Sequence, residues 1–293
     1  MGERKMILVT GAAGKTGRAV IKALVAKGLP VRALIHKPEY VESMSALNVS
    51  EVELGDMHSR EDMERAFMRV QSVYHICPNM SPDEVEIGKI AIEVAKTAKV
   101  KRFVYHSVLH PQIEAMPNHW FKLRVEELIF ESKLEFTILQ PAPYMQNVLA
   151  YWKQIVESGI YSVPYAPSTR LGMVDLGDVA EVAANVLTHS GHEGAIYELA
   201  GTERLSQTEV GEIINQCMEI PVRVEVQSLT EWEKNARAIG MNAYALETLM
   251  KMFRYYENYG FWGNPRVLSW LLGRPPTTFE SFVQRIPLER KRA

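Results

Sequence analysis

The chain has 293 residues, 47% of them hydrophobic, which is enough to bury a large core in one large domain or two modest ones. A formal net charge of -2 gives no electrostatic footprint for nucleic acid, and a total of two cysteines argues against a disulfide framework. No run of about 18 apolar residues and no signal-peptide core occur, so we expect a soluble, cytoplasmic protein that binds neither membranes nor nucleic acid.

The first predicted elements surround a glycine-rich segment. Residues 6–17 read MILVTGAAGKTG, an apolar strand that leads directly into Gly11, Gly14 and Gly17. Such glycines permit a tight turn, close approach of backbone to phosphate, and close packing of the next helix. The helix offers N–H groups and its positive dipole end to an anion. With a second strand at 31–35, the pattern predicts a dinucleotide site rather than an ordinary strand-to-helix loop.

Strands and helices continue to alternate through the first half of the chain. Further strands are predicted at 52–54, 73–77, 102–107 and 136–139. Helices are predicted from the N-cap Ser59 through Val70, from the N-cap Ser81 with Pro82 and the capping acid Glu84 to near Lys99, and over roughly 120–132. This alternation is typical of a Rossmann-type α/β fold with a doubly wound parallel sheet.

Beyond about residue 155 the alternation weakens. We predict a helix over 175–187, a strand at 195–199, a capped helix from Ser206 to Met218 and a strand at 222–226, followed by about 60 mainly helical residues. The predicted domains are therefore a Rossmann domain at 1–155, to which segments near 171–200 return, and a smaller, mainly helical substrate-side region at 156–293.

Several longer segments carry a family resemblance. They are the glycine loop, VRALIHKP from Val31, GD at 55–56, VYHS ending in Ser107, ILQPAPYMQN from Ile138, VDLGDVA from Val174, GHEGAIYELAG from Gly191 and LLGRPPTTFESF from Leu271. In them the chain resembles the NmrA-like atypical short-chain dehydrogenases/reductases, and is most similar to the NADPH quinone oxidoreductase type 2 and triphenylmethane reductase group. The resemblance covers nearly the whole chain.

The end of the second strand bears on the cofactor. An NAD-preferring site places a carboxylate there, whereas this chain has His36 and Lys37. Lys37, helped by His36 and Lys15, would attract a 2′-phosphate, so we predict NADP(H); the alternative is a solvated surface lysine. Relatives usually carry Arg and then Asn here. The resemblance implies that Asp56 holds the adenine ring, with a turn or cap as its alternative. The residues predicted to contact the cofactor are Gly11, Ala13, Gly14, Lys15, Thr16, Gly17, His36, Lys37, Asp56, Met57, Cys77, Pro78, Lys122 and Pro141.

The resemblance also bears on catalysis. Short-chain dehydrogenases use a Ser, Tyr and Lys set; Lys122 fits the lysine, but Asn118 stands in place of the tyrosine. This loss argues against alcohol dehydrogenation and sugar epimerisation. Plant ether reductases keep a lysine here, whereas quinone and triphenylmethane reductases carry histidine. We predict that Lys122 binds the nicotinamide ribose and offers a proton or a positive field to the acceptor. Ser107 lines the nicotinamide or satisfies local backbone, and Tyr144 closes over the nicotinamide or packs as an ordinary aromatic.

Three further features have more than one interpretation. A metal site at His106, His110 and His119 is not expected, because a strand end does not bring residues four apart together. Cys77 is either redox-sensitive or a small buried hydrophobe. The aromatic residues crowded between Trp232 and Trp270 form a core, a dimer interface or an apolar pocket. A homodimer is therefore one of the alternatives that the sequence offers.

Two functional hypotheses follow. The first is an NADP(H)-dependent reductase that transfers hydride to an apolar, quinone-like or aromatic small molecule. The second is a non-catalytic NADP(H)-sensing regulator of the NmrA type that binds a protein partner.

Overall fold

The computed structural model of the protein describes residues 6–286. The strands in chain order are β1 (Ile7–Val9), β2 (Val31–Ile35), β3 (Glu51–Leu54), β4 (Ser72–His75), β5 (Arg102–His106), β6 (Phe136–Pro141), β7 (Ile160–Val163), β8 (Arg170–Gly172), β9 (Ala195–Leu199), β10 (Arg204–Ser206) and β11 (Arg223–Val226). The helices are α1 (Lys15–Ala26), α2 (Val41–Ser45), α3 (Arg60–Phe67), α4 (Glu84–Thr97), α5 (Pro117–Glu131), α6 (Trp152–Ser158), α7 (Leu176–Thr188), α8 (Gln207–Met218), α9 (Leu229–Ala238), α10 (Ala243–Tyr259), α11 (Arg266–Leu272) and α12 (Phe279–Gln284).

Seven strands form the main sheet in the order β3-β2-β1-β4-β5-β6-β9. The neighbouring pairs from β3 to β6 are parallel. The chain starts at β1, proceeds outward to β3, and resumes on the other side of β1 at β4. Ligands of doubly wound sheets bind at the carboxyl ends of the strands where the order reverses, here β1 and β4. The predicted Rossmann-type fold is confirmed.

The chain divides into two compact units. The first comprises residues up to 112, 118–140 and 179–197, and the second comprises 113–117, 141–178 and residues from 198 onward. The buried core of the first unit brings helix residues such as Phe67, Ala91 and Val125 together with Leu8 and Phe103 of the sheet. The second unit contains the parallel pair β7 and β11, the antiparallel pair β8 and β10, and helices α8 to α12.

The structure explains the shift of two predicted helix boundaries, the end of α3 and the start of α4. Helix α3 ends at Phe67 instead of Val70, because Met68 leaves helical backbone with ψ 123° and Arg69 has a positive φ of 59°. Ser81 does not cap α4, since its hydroxyl accepts the Asp83 amide N–H at 3.1 Å and the helix begins only at Glu84. The other predicted elements are present, with bounds that differ by at most three residues.

Local capping signals explain several correct starts. Ser59 accepts the N–H of Asp62 at the start of α3. Ser206 and Glu209 form the reciprocal capping box that the sequence predicts for α8. The final helices α9 to α12 agree with the predicted helical ending. Within residues 6–286, no helix is long and apolar enough to cross a membrane.

Candidate functional site

The glycine loop between β1 and α1 is closely packed. Gly11 has φ 57°, and a Cβ atom there would lie 3.0 Å from the carbonyl oxygen of Ile76, just after β4. A Cβ atom on Gly17 would overlap the carbonyl oxygen of Gly11 and approach Cα of Ala12 to 2.7 Å. Side chains at either position would force the loop away from the sheet or from α1. The loop therefore has the close backbone packing that a pyrophosphate cradle requires.

The start of α1 is suited to an anion. Its N-cap is Gly14, which is exposed and extended, and the described structure has no side-chain hydrogen bond capping this end. In contrast, serine side chains cap α3 and α8. An N-terminus without a side-chain acceptor presents its dipole and N–H groups to an incoming phosphate. Lys15 is exposed and Thr16 half-buried beside Gly14, so the residues present fit a dinucleotide phosphate.

Arg18 supports this loop, a role that the sequence analysis missed. Its Nε donates to the carbonyl oxygen of Ala13 at 2.9 Å, and its Nη2 donates to the Ser43 hydroxyl at 2.9 Å. The guanidinium thus ties the glycine loop to α2, which follows β2. The sequence around the glycines does not reveal this role, because the partner Ser43 lies 25 residues from Arg18 along the chain.

The predicted 2′-phosphate residues lie on the surface after β2. His36 and Lys37 are both exposed. Lys37 Nζ lies 3.9 Å from Oε1 of Glu39, and the ring of His36 lies 5.7 Å from that of Tyr40. An exposed ion pair at this distance is weak and screened by salt. Both predicted side chains are therefore open to a phosphate.

The predicted adenine residue Asp56 belongs to a polar cluster after β3. Its Oδ1 accepts the backbone N–H of His58 at 2.9 Å and lies 2.9 Å from the His58 ring, whose Nε2 lies 3.2 Å from Asp83. The hydrogen bonds from His58 lower the pKa of Asp56, and those to Asp56 raise the pKa of His58. Asp56 thus has the turn role that the sequence offered as its alternative, while its side chain stays exposed. Met57 packs partly against the core.

A buried histidine lies at the carboxyl end of β4. Thr10 Oγ1 donates to the carbonyl oxygen of Ile76 and accepts its amide N–H, and it lies 3.1 Å from Nδ1 of His75. Nε2 of His75 has no hydrogen-bond partner among the described residues. Burial lowers the pKa of His75 to about 3.

Cys77 and Pro78 follow β4 at the switch point. Pro78 is exposed, whereas the Cys77 side chain is buried. Burial raises the pKa of the Cys77 thiol, so it stays protonated and poorly nucleophilic. Of the two interpretations offered for Cys77, the small buried hydrophobe agrees with this environment.

Lys122 is part of a buried ion pair. Its Nζ donates to Oε1 of Glu84 at 2.9 Å and to the carbonyl oxygen of His106 at 3.2 Å, and lies 5.4 Å from the ring centroid of Tyr105. The Tyr105 hydroxyl donates to the same Oε1 at 2.8 Å. Glu84 was predicted as a capping acid, which is wrong: its buried carboxylate contacts Lys122 and Tyr105 instead, because an ion pair satisfies it better than one amide N–H.

Ser107 is buried beside a second carboxylate. Its hydroxyl donates to Oε1 of Glu126, whose oxygens also accept from Nε2 of Gln140 at 2.9 and 3.0 Å. The hydroxyl is therefore not used to satisfy local backbone, which was the alternative interpretation, and the contact of Ser107 with the nicotinamide stays a prediction. Burial raises the pKa of the Glu126 carboxyl, which the hydrogen bonds from Ser107 and Gln140 oppose. The sequence analysis missed Glu126 and Gln140.

The histidines do not form a metal site in the described part of the chain, where no such group of ligands occurs. His106 Nδ1 lies 2.7 Å from the Tyr74 hydroxyl, and His119 Nδ1 lies 3.2 Å from the carbonyl oxygen of His110. Asn118, at the position expected for a tyrosine, has a buried amide oxygen with no hydrogen-bond partner within residues 6–286.

Pro141, Tyr144 and the C-terminal aromatic residues belong to the second unit. Tyr144 is half-buried and forms an isolated bridge with Val174. Most aromatics pack on one another: the ring centroids of Trp232 and Phe253 are 4.9 Å apart, and those of Tyr256 and Phe261 are 5.1 Å apart. Tyr256 and Phe261 are buried, which agrees with the core interpretation.

Trp270 is 78% exposed and lines an open groove of about 690 Å³ with the neighbouring Val267 and Pro275.

The chain is similar to known proteins over nearly its whole length. The model of the NmrA-like family matches residues 3–283 of the chain. This chain belongs to the NmrA-like family. Among the curated family relatives, it is 28% identical over 281 residues to an NAD(P)H azoreductase of Xenophilus azovorans, which covers 95% of this chain and 97% of the relative.

Solved structures give the same fold for this NmrA-like chain. The NADPH complex of the NADPH-dependent quinone oxidoreductase of Escherichia coli has a TM-score of 0.82 at 24% identity and covers 95% of this chain and 98% of that one. The Citrobacter sp. triphenylmethane reductase complexed with NADP(H) has a TM-score of 0.83 at 23% identity, with coverages of 95% and 99%. These relatives are named as NAD(P)H-dependent or NADP(H)-binding reductases, and the two structures share the predicted fold. The individual site residues stay predictions.

Proposed function

We propose that this chain is an NADP(H)-dependent reductase that transfers hydride to an apolar, quinone-like or aromatic small molecule. The observation that carries the proposal is Lys122, whose ammonium is fixed in the first unit by Glu84 and the carbonyl oxygen of His106. Only part of its side chain, 16%, is exposed. A fixed, partly exposed cation is suited to orient a ribose and to stabilise negative charge on an acceptor.

The cofactor would be held by backbone at one end and by exposed side chains at the other. The glycine loop and the start of α1 would bind the pyrophosphate, and His36 and Lys37 the 2′-phosphate. Asp56 and Met57 would contact the adenine. Bound NADP(H) would supply the hydride, so the chain itself needs to bind, orient and exclude water. Cofactor contacts at Ala13, Cys77, Pro78 and Pro141 are also part of the proposal.

The chain offers limited acid–base help to its acceptor. Asn118 stands where a tyrosine acid would be, and the Ser107 hydroxyl is already donated to Glu126. An acceptor that takes hydride readily needs little protonation in the transition state. Quinones and cationic triphenylmethane dyes, for which relatives are named, meet this condition, and the azoreductase relative adds azo dyes as a class to be tested. Tyr144 stays our candidate to contact the nicotinamide.

Three broader predictions are proposals too. Residues 1–155, with segments near 171–200, would form the cofactor domain, and the rest of 156–293 the substrate-side region. We also propose a cytoplasmic protein without a nucleic-acid partner. The third proposal is a homodimer, and the molar mass measured by light scattering on the purified chain tests it.

The experiment is a steady-state measurement of NADPH oxidation against a panel of quinones, azo dyes and triphenylmethane dyes. Lys122→Ala is the test variant, and Lys22→Ala, an exposed lysine on α1, is its control. We expect turnover of at least one class and its loss in Lys122→Ala alone. Tight NADPH binding without turnover of any acceptor, and no effect of Lys122→Ala, would favour the NADP(H)-sensing regulator instead.

A further inference from the structure

Glu84 combines features that a surface helix-start residue does not need. It is the first residue of α4, yet its side chain is only 5% exposed. Removing a carboxylate from water is costly unless it is paired and hydrogen-bonded. Glu84 meets both conditions, since Oε1 accepts from Lys122 at 2.9 Å and from the Tyr105 hydroxyl at 2.8 Å, and the Cys77 thiol is also hydrogen-bonded to the carboxylate.

The contacts of Lys122 fix the direction of its remaining donor. An ammonium group has three N–H bonds. One is directed to Glu84 and one to the carbonyl oxygen of His106, and the third has no protein acceptor among the described residues. Because Glu84 and His106 hold two of the three donors, the lysine cannot rotate without breaking a buried ion pair.

The neighbouring histidines carry no charge that could replace that of Lys122, and the other buried charged group nearby is the carboxyl of Glu126. Burial lowers the pKa of both His75 and His106 to about 3, so both rings are neutral at neutral pH. Burial raises the pKa of the Tyr105 hydroxyl well above its usual value, so Tyr105 stays protonated and able to donate. No second protein cation therefore offers Glu84 a substitute for Lys122 among these neighbours.

We propose that Glu84 is a positioning residue which, itself oriented by Tyr105, aims the third N–H of Lys122 at the bound nicotinamide ribose. This inference rests on the proposed function, because it assigns the site of Lys122 to the cofactor. Glu84 does not touch substrate or cofactor and acts only through the lysine. Tyr105→Phe should reproduce a weaker form of any effect of Glu84→Gln, since it removes one of the donors that fix the carboxylate.

The test is a double-mutant cycle on NADPH affinity, with kcat and KM measured in parallel. Glu84→Gln keeps the shape of the side chain and removes its charge. We expect Glu84→Gln to weaken NADPH binding about tenfold, comparable to the loss of one hydrogen bond to a charged group. In a Lys122→Met background the same change should have no further effect, because the group that Glu84 positions is already gone.

A merely structural role would give a different pattern. Asp178→Asn is the matched control: Asp178 is equally buried, and pairs with Arg274 at 2.9 Å in the second unit. Both carboxylate variants should lower the melting temperature, but only Glu84→Gln should change NADPH affinity. Equal losses of NADPH affinity from Glu84→Gln in the wild-type and Lys122→Met backgrounds would overturn the proposal, as would no loss in either.

The outcomes separate this inference from the proposed function. Coupling between Glu84 and Lys122 in NADPH affinity, with no acceptor turned over, supports the positioning role and contradicts the reductase. Acceptor turnover without that coupling supports the reductase and contradicts the positioning role. Wild-type protein that fails to bind NADPH contradicts both.

Discussion

A Cβ atom on Gly17, in the first turn of α1, would overlap the carbonyl oxygen of Gly11 in the preceding loop. Gly17→Ala must therefore separate α1 from the loop, and we expect it to weaken NADPH binding at least about tenfold and to destabilise the fold by about 1–3 kcal/mol. Calorimetric NADPH titration and urea unfolding measure the two effects.

Gly28, just beyond the C-terminus of the same helix, provides the matched control. Its φ is +71°, with no atom within 4 Å of an added Cβ. Gly28→Ala should cost stability through backbone strain yet leave NADPH affinity unchanged. Equal NADPH affinities for the two variants would contradict a phosphate-binding role of the loop.

The exposed lysine after β2 gives a prediction about cofactor choice. Lys37→Ala should lower NADPH affinity about fivefold to tenfold and leave NADH affinity unchanged, because the 2′-phosphate is the difference between the two cofactors. The effect should shrink in high salt, since Lys37 is exposed. Competitive titration of both cofactors tests it, with Lys22→Ala as the control. If the wild-type chain prefers NADH and Lys37→Ala does not alter that preference, the prediction of NADP(H) as cofactor is wrong.

Buried neutral histidines make the fold acid-sensitive. Burial lowers the pKa of His75 and His106 from 6.5 to about 3 and that of His119 to about 4. Below pH 6.5 the unfolded chain binds protons that the folded chain does not, so the free energy of unfolding falls as pH falls from 6.5 towards those values. Each histidine contributes up to about 1.4 kcal/mol per pH unit.

Urea unfolding at pH 6.5, 6 and 5.5 measures this slope. The variant His75→Leu should have a shallower slope than the wild type, whatever its absolute stability, because one proton-binding difference is lost. An unchanged slope would mean that His75 titrates normally in the folded protein.

His58 acts in the opposite direction. Its hydrogen bond to Asp56 raises the pKa of His58 above 6.5. Its stabilising contribution is therefore complete below pH 6.5 and is lost as the pH rises through the folded value. The cluster is half-exposed and screened, so we expect less than about 1 kcal/mol. Comparison of His58→Gln with the wild type at pH 6 and 8 should show a difference at pH 6 that fades at pH 8; a constant difference would contradict it.

The fold was predictable from local signals. Strand and helix periodicity, the glycine loop and the Ser206–Glu209 capping box act over a few residues and are legible in the sequence. The partners of the candidate site were not. Glu84 and Lys122 are 38 residues apart, and Ser107 and Glu126 are 19 apart, so only the folded sheet brings each pair together. Glu84 at a helix start also satisfies the pattern of a capping acid, which is why the local interpretation failed there.

The central claim is that NADP(H) bound by this chain reduces an acceptor. Its most direct test is a single-turnover reaction without oxygen, in which NADPH-loaded protein is mixed with the best acceptor of the panel and both species are quantified. We predict one two-electron reduction of the acceptor for each NADPH oxidised, with the reaction lost in Lys122→Ala. If NADPH stays bound and unoxidised with every acceptor, the chain is not a reductase of these acceptors.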